Sequence, residues 1–295
     1  MTFELKNTIS TSSGWDISEQ AFNEEQIITT GSNFLIGNGY LGYRGTFAEW
    51  EKDRYVACIV TDTYDNANGR WRELCNLPNG LYTRLLIEDE AFSIDEGKTL
   101  SYQRSLNLRS GTFKRQQTWQ GTHGKEVRLE AERFASFENV HLLAMRYRVE
   151  AGQAAEITLV TGIDGDVWSL QGDHFRSLEP FQEDDLIGME TFTVEQSIQI
   201  DVVEGIRLHG PEPVSVSVRD EDKGILREIR FQVEAGEAIT LEKVVAIYHS
   251  NDVDSPRQTA LSEAQAAVQQ GYDVLHQRNQ AAWESIWSAS DIQIQ

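Results

Sequence analysis

The chain has 295 residues, long enough to bury a large core, and its 26 Lys and Arg stand against 47 Asp and Glu for a formal net charge of −21. Such a surface repels nucleic acid and anionic membranes, which removes both from the expected partners. No stretch approaches the ~20 apolar residues of a membrane span. Met1 to Ser10 lack the basic-then-apolar pattern of a signal peptide, so the expected compartment is the cytoplasm.

Read in chain order, the first pattern is Gly37-Asn38-Gly39-Tyr40-Leu41-Gly42-Tyr43-Arg44-Gly45. Asn33 to Ile36 reads as a strand, Asn38-Gly39 as a type I′ hairpin turn, and Tyr40 to Phe47 as a second strand. The glycines also match a GxGxxG spacing with Asp62 downstream. A dinucleotide site needs a helix after the glycines, and the aromatic run that follows reads as strand.

Period-two alternation then dominates. Strands are expected at Tyr55–Thr61, Leu81–Ile87, Thr112–Trp119, Glu126–Phe134, His141–Val149 and Glu156–Thr161. Further ones follow at Thr191–Val194, Ile198–Val203, Val214–Val218, Ile225–Val233 and Ala238–Tyr248. Turn signals such as Asn79-Gly80, Asp95-Glu96-Gly97 and Asp222-Lys223-Gly224 separate them. The polar stretch from Trp168 to Glu190 reads as a long surface loop. Many short strands with no helices between them indicate a mainly β fold, a large antiparallel β-sandwich.

The period changes at Pro256. From Arg257 to Trp287, Leu261, Ala264, Val268, Tyr272, Leu275, Trp283 and Ile286 recur at helical spacing, with Gly271 as a bend. Two units are therefore expected: a sandwich over residues 1–254 and a helical linker over 255–295. The final Asp291-Ile292-Gln293-Ile294-Gln295 alternates like the start of a strand and then stops, so truncation is expected there.

Few motifs carry chemistry. Cys58 and Cys75 lack CxxC spacing and read as free, buried thiols. The six histidines are scattered without an HExxH pair, so no metal site is expected. There is no GxSxG. Among seven tryptophans, Trp71 is the best candidate for stacking on a sugar, flanked by Arg70, Arg72 and Glu73 in an expected loop. Trp71 and Arg72 are the candidate substrate-binding residues, and no catalytic residue is assigned.

The glycine-rich segment at 37–45 joins four others: Glu73-Leu74-Cys75-Asn76-Leu77-Pro78-Asn79, residues 100–111, Gly162-Ile163-Asp164-Gly165-Asp166-Val167 and residues 241–248. With Ala282-Trp283, Trp287 and Ser290-Asp291-Ile292, their order and spacing resemble the amino-terminal domain of glycoside hydrolase family 65, the maltose, kojibiose and trehalose phosphorylases.

The resemblance implies a mutarotase-like super-sandwich, linker helices, an (α/α)6 barrel and a small β domain. It implies cleavage of α-linked glucose disaccharides with inversion, a glutamic acid as general acid, and inorganic phosphate as co-substrate without any cofactor. Hydrolytic members use water and a second carboxylate. The general acid and phosphate site would lie in the barrel, outside this chain. The sandwich would then be an accessory domain, chemically inert alone, with the loop from Asp65 to Asn79 nearest the barrel or substrate and a homodimer as a further expectation. The competing readings are an independent carbohydrate-binding module and a mutarotase-type enzyme, which needs a His and a carboxylate converging on the concave face.

Overall fold

The computed structural model describes residues 9–11, 14–67 and 69–290. The chain opens with β1 (Ile9–Thr11), β2 (Asp16–Glu19), α1 (Ile27–Asn33), β3 (Ile36–Gly37), β4 (Leu41–Tyr43), β5 (Cys58–Val60), β6 (Tyr64–Asp65) and β7 (Glu73–Leu74). Longer strands follow: β8 (Thr83–Ile87), β9 (Glu90–Ala91), β10 (Lys98–Asn107), β11 (Thr112–Gln120), β12 (Glu126–Ala135), β13 (Leu142–Ala151) and β14 (Ala155–Asp164). The last are β15 (Phe175–Glu183), β16 (Leu186–Thr193), β17 (Gln199–His209), β18 (Ser215–Glu221), β19 (Gly224–Val233) and β20 (Ala238–His249), then α2 (Pro256–Gln270) and α3 (Tyr272–Ser290).

Ten strands form one sheet in the order β1-β2-β10-β11-β12-β13-β20-β17-β16-β15, and five form a second in the order β18-β19-β14-β8-β9. All registered pairs in both sheets are antiparallel. The fold is therefore the large antiparallel sandwich that the alternation implied. Its main core lies between the sheets: Leu143, Met145, Tyr147 and Val149 of β13 and Ile239, Leu241, Val245 and Ile247 of β20 meet Leu85, Ile157, Leu159, Ile229 and Phe231 from the small sheet.

The opposite face of the large sheet is covered as well. Leu142 and Ala144 of β13, Val203 of β17 and Val244, Ala246 and Tyr248 of β20 pack against Ala260, Leu261, Ala264 and Ala267 of α2 and Tyr272 and Leu275 of α3. Strands buried on both faces need apolar residues at successive positions, which explains the run Val244-Val245-Ala246-Ile247. The alanines let α2 sit close to the sheet. Gly205 has the same role, since a Cβ there would come 2.5 Å from Val268 Cγ2. Gly271 separates the two helices at φ 79°, so the bend is a break.

Three expectations change. The stretch from Trp168 to Glu190 holds a hairpin, β15–β16, turning at Asp184 with φ 51°. It reads as loop because β15 is an edge strand with no fully buried residue, and an edge tolerates Pro180, which cannot donate to a ladder. The turn after β3 is displaced by one residue: Gly39, not Asn38, takes positive φ, at 88°. Asn38 is extended into a staple instead. Its Oδ1 accepts from the backbone of Tyr40 and Leu41, and its Nδ2 donates to the carbonyls of Ser136 and Val140. The strand expected at Asn33–Ile36 shrinks to β3, Ile36–Gly37, because Asn33 belongs to the last turn of α1.

The apolar end of α3 docks on its own sandwich. Trp287 packs edge-on to Trp15 at 4.9 Å and Trp283 against Phe137 at 5.0 Å. The indole of Trp283 also covers Gly111, where a Cβ would come within 2.6 Å of Nε1. The Arg109 guanidinium grips the Glu284 carboxylate with both Nε and Nη2 at 3.0 and 2.8 Å. The alternating 291–295 segment lies outside the described residues.

Candidate functional site

Most connections that end the long strands on the α3-carboxyl side are cross-linked into one rim. Asn279 of α3 donates to the carbonyl of Ser110 and accepts from the backbone N–H of Phe137, joining the 107–112 turn to the 136–141 loop. Asn38 joins that loop to the β3–β4 turn. Asn251 Nδ2 donates to the carbonyl of Asp62, joining the β20–α2 connection to the segment before β6.

A cluster of rings fastens the middle of the rim. His141 stacks on Tyr248 at 3.9 Å, and Tyr40 lies 4.3 Å from His141 and 5.9 Å from His249. Tyr40 Oη donates to Asp252 Oδ2, which also lies 3.0 Å from His249 Nε2. Burial holds His249 below the usual imidazole range, with Asp252 opposing that shift. A histidine and a carboxylate do converge here, but at the strand ends, not on the sheet face. The Asp252 oxygen is already taken by the Tyr40 hydroxyl, so the arrangement pins residues 250–255 to the β3–β4 turn.

Trp71 and Arg72 sit farther along, between β6 and β7. Trp71 is 55% exposed. Its backbone is fixed all the same: Gln171 Oε1 accepts from the N–H of Arg70 and Trp71, and Gln171 Nε2 donates to the Trp71 carbonyl. An amide clasp from a distant loop thus presents an indole face to solvent. Arg72 donates from Nε and Nη2 to Glu195 at 2.9 and 2.7 Å, which leaves Nη1 as its outward donor.

Beneath the loop lies a buried ionic cluster absent from the sequence reading. Asp65 and Glu73 are opposite one another in the β6–β7 pair. The ring of His174, just before β15, enters between them, with Nδ1 3.0 Å from Asp65 Oδ2 and Nε2 2.6 Å from Glu73 Oε1. Asp65 Oδ1 accepts from the N–H of Glu195 and Oδ2 from that of Ala67. Burial would raise the Asp65 carboxyl, but these bonds and His174 hold it below the usual range. The three side chains span residues 65 to 174, so no local spacing could have revealed them. Only the loop composition around Trp71 pointed to this place.

A cleft of about 260 Å³ adjoins the cluster, lined by His174, Phe175, Arg176, Asp173, Asp222 and Lys223 among others. Cys58 and Cys75 are both buried, free thiols, and burial pushes each up to about 12. Among the described residues no group of three or more His, Cys, Asp or Glu is arranged to hold a metal ion. Among them, too, no helix is long and apolar enough to cross a membrane.

Comparison with known proteins gives the same outline. The model of the N-terminal domain of glycosyl hydrolase family 65 matches residues 17–286. The chain is 40% identical to the 1,2-alpha-glucosylglycerol phosphorylase of Bacillus selenitireducens, covering 99% of this chain and 38% of that protein. It is 28% identical to the nigerose phosphorylase of Lachnoclostridium phytofermentans, covering 95% of this chain and 40% of that one. A solved structure of a putative kojibiose phosphorylase from the human microbiome superposes with a TM-score of 0.84 at 18% identity, over 95% of this chain and 39% of its own, which establishes the shared fold. The chain thus spans about two-fifths of the length of these relatives. On the breadth of the family match and the sandwich that underlies it, this chain belongs to glycosyl hydrolase family 65, as that family's N-terminal domain.

Proposed function

We propose that this domain serves an inverting α-glucoside phosphorylase, one that transfers glucose from an α-linked disaccharide or a related glucoside to inorganic phosphate. The observation that carries this reading is the match to a glucosylglycerol phosphorylase over almost the whole chain. The general acid and the phosphate site belong to a neighbouring barrel domain, reached through the segment that begins with α2 and α3. In an inverting site the acid and the attacking group stand on opposite faces of the sugar. The sandwich contributes the rim, with Trp71 as a stacking face and Arg72 Nη1 as a donor to a sugar hydroxyl. A cytoplasmic homodimer is part of the same proposal.

The test is an assay of the purified chain and of the longer protein with maltose, kojibiose, nigerose, trehalose and 1,2-α-glucosylglycerol, each with and without phosphate. The expected result is no product from this chain and phosphate-dependent β-glucose 1-phosphate from the longer protein. Phosphate-dependent product from the chain alone would move the chemistry into the sandwich and overturn the proposal. The exposure of Trp71 favours a second reading, an independent carbohydrate-binding module. Calorimetric titration of the chain with α-glucans separates the two, because only the module binds without its neighbour.

A further inference from the structure

We propose that His174 is a positioning residue for the Trp71–Arg72 loop, its ring latching Asp65 to Glu73 so that this loop keeps one presentation. The inference rests on the reading of that loop as sugar-facing.

The geometry requires two donors. A neutral imidazole offers one N–H and one lone pair. Here both ring nitrogens meet carboxylate oxygens, at 3.0 and 2.6 Å, and carboxylates only accept. With both carboxyls ionised, the two bonds form only on a ring that carries both protons. Its position supplies the reason: Asp65 and Glu73 face each other directly across an antiparallel pair, where like charges repel. His174 and Asp65 are almost fully buried and Glu73 nearly so, so water does not screen the repulsion. The imidazolium turns two opposed anions into one compact, charge-assisted unit.

That unit holds the loop on several sides. Glu73 Oε1 also accepts from the N–H groups of Leu170 and Gln171, the segment whose side chain clasps Trp71. Asp65 holds Glu195, whose carboxylate grips Arg72. The other charged or titratable groups around the ring are Cys75 beyond Glu73, Glu195 and Arg72 one contact away, Asp173 and Arg176 on the segment of His174 itself, and Asp166, Asp222 and Lys223 across the adjoining cleft. Loss of a proton would set an imidazole lone pair against a buried carboxylate.

The test uses the whole chain and no sugar. Long-range proton–nitrogen correlation of the histidine rings reads the protonation of His174, and hydrogen exchange corrected for intrinsic rates reads the protection of residues 65–74. Both ring nitrogens are expected to carry protons while the loop is protected. His174→Lys keeps a cation with several donors and should retain protection. His174→Gln, with one donor face and one acceptor, should lower protection about tenfold. A singly protonated ring in the protected state overturns the latch, as does native protection in H174Q. If the latch holds but Trp71→Ala leaves catalysis unchanged in the longer protein, only the sugar-facing assignment of the loop fails.

Discussion

Two buried cations hold this domain together in different ways. Lys243 of β20 sits between the sheets, fully buried. Its Nζ lies within 3.0 Å of the carbonyls of Tyr82 and Gly162, the hydroxyl of Thr161 and Glu204 Oε2, so it ties the large sheet to the small one. His174 occupies a comparable pocket of acceptors, but at the rim and with two carboxylates instead of one. Burial lowers the ammonium of Lys243 to about 8 even beside Glu204, with the sheets on both sides closing off water. The comparison teaches that one device, a cation among buried oxygens, serves as a permanent staple in the core. At the edge, where the chain must present a surface, it fixes a loop.

The contrast can be broken most forcefully at the core. Lys243→Met leaves buried Glu204 with only the more distant Arg227, at 3.9 Å, as a cation, and a loss of about 3–5 kcal/mol is expected in urea melts. Adding Glu204→Met should recover most of it, because the pair as a whole is replaced by apolar volume. A single-variant loss below about 1 kcal/mol would mean that Lys243 is not the staple.

A smaller effect is expected beneath α2. Asp201 lies on the outer face of β17, fully buried, with its Oδ1 lacking a hydrogen-bond partner among the described residues. Burial raises its carboxyl from 3.8 to about 7, Gln199 opposing and the facing Glu190 adding to the rise. The fold thus prefers the protonated acid. The penalty for ionisation grows as pH climbs from the ordinary carboxylate range and is complete above about 7. Asp201→Asn should therefore raise Tm above that pH and leave it nearly unchanged in acid. An equal shift at both ends of a pH series of melting curves would remove Asp201 as the cause.

The smallest stability change is expected at the rim. Trp71 is half in solvent, so Trp71→Ala should move stability by no more than about 0.5 kcal/mol. In the longer protein the same substitution should raise KM or lower kcat. Unchanged values of both would end the case for Trp71 as a sugar contact.

Much of the sandwich was legible in the sequence. Strands such as β12 and β13 face the core on one side and are polar over much of the other, so their alternation shows directly in the residues. Edge strand β15 buries little and carries Pro180, which leaves no alternation to read. The turn at Gly39 was misplaced by one residue because Asn-Gly fits a hairpin by propensity. The side chain of Asn38 instead found four partners in the turn and a distant loop, a choice that no local rule contains. The exposed position of Trp71 followed from its polar neighbours, whereas the clasp of Gln171 lies a hundred residues away.

By itself the sequence determined the fold class, the change from strand to helix at Pro256 and the family, because each is written in periodicity or in runs of adjacent residues. Only the tertiary structure decided that α2 and α3 cover the outer face of the sandwich, that Lys243 meets Glu204, and that His174 enters between Asp65 and Glu73. Those contacts depend on how strands far apart in sequence are ordered and registered, and on the burial that makes a charge seek a partner. Neither leaves a period in the chain.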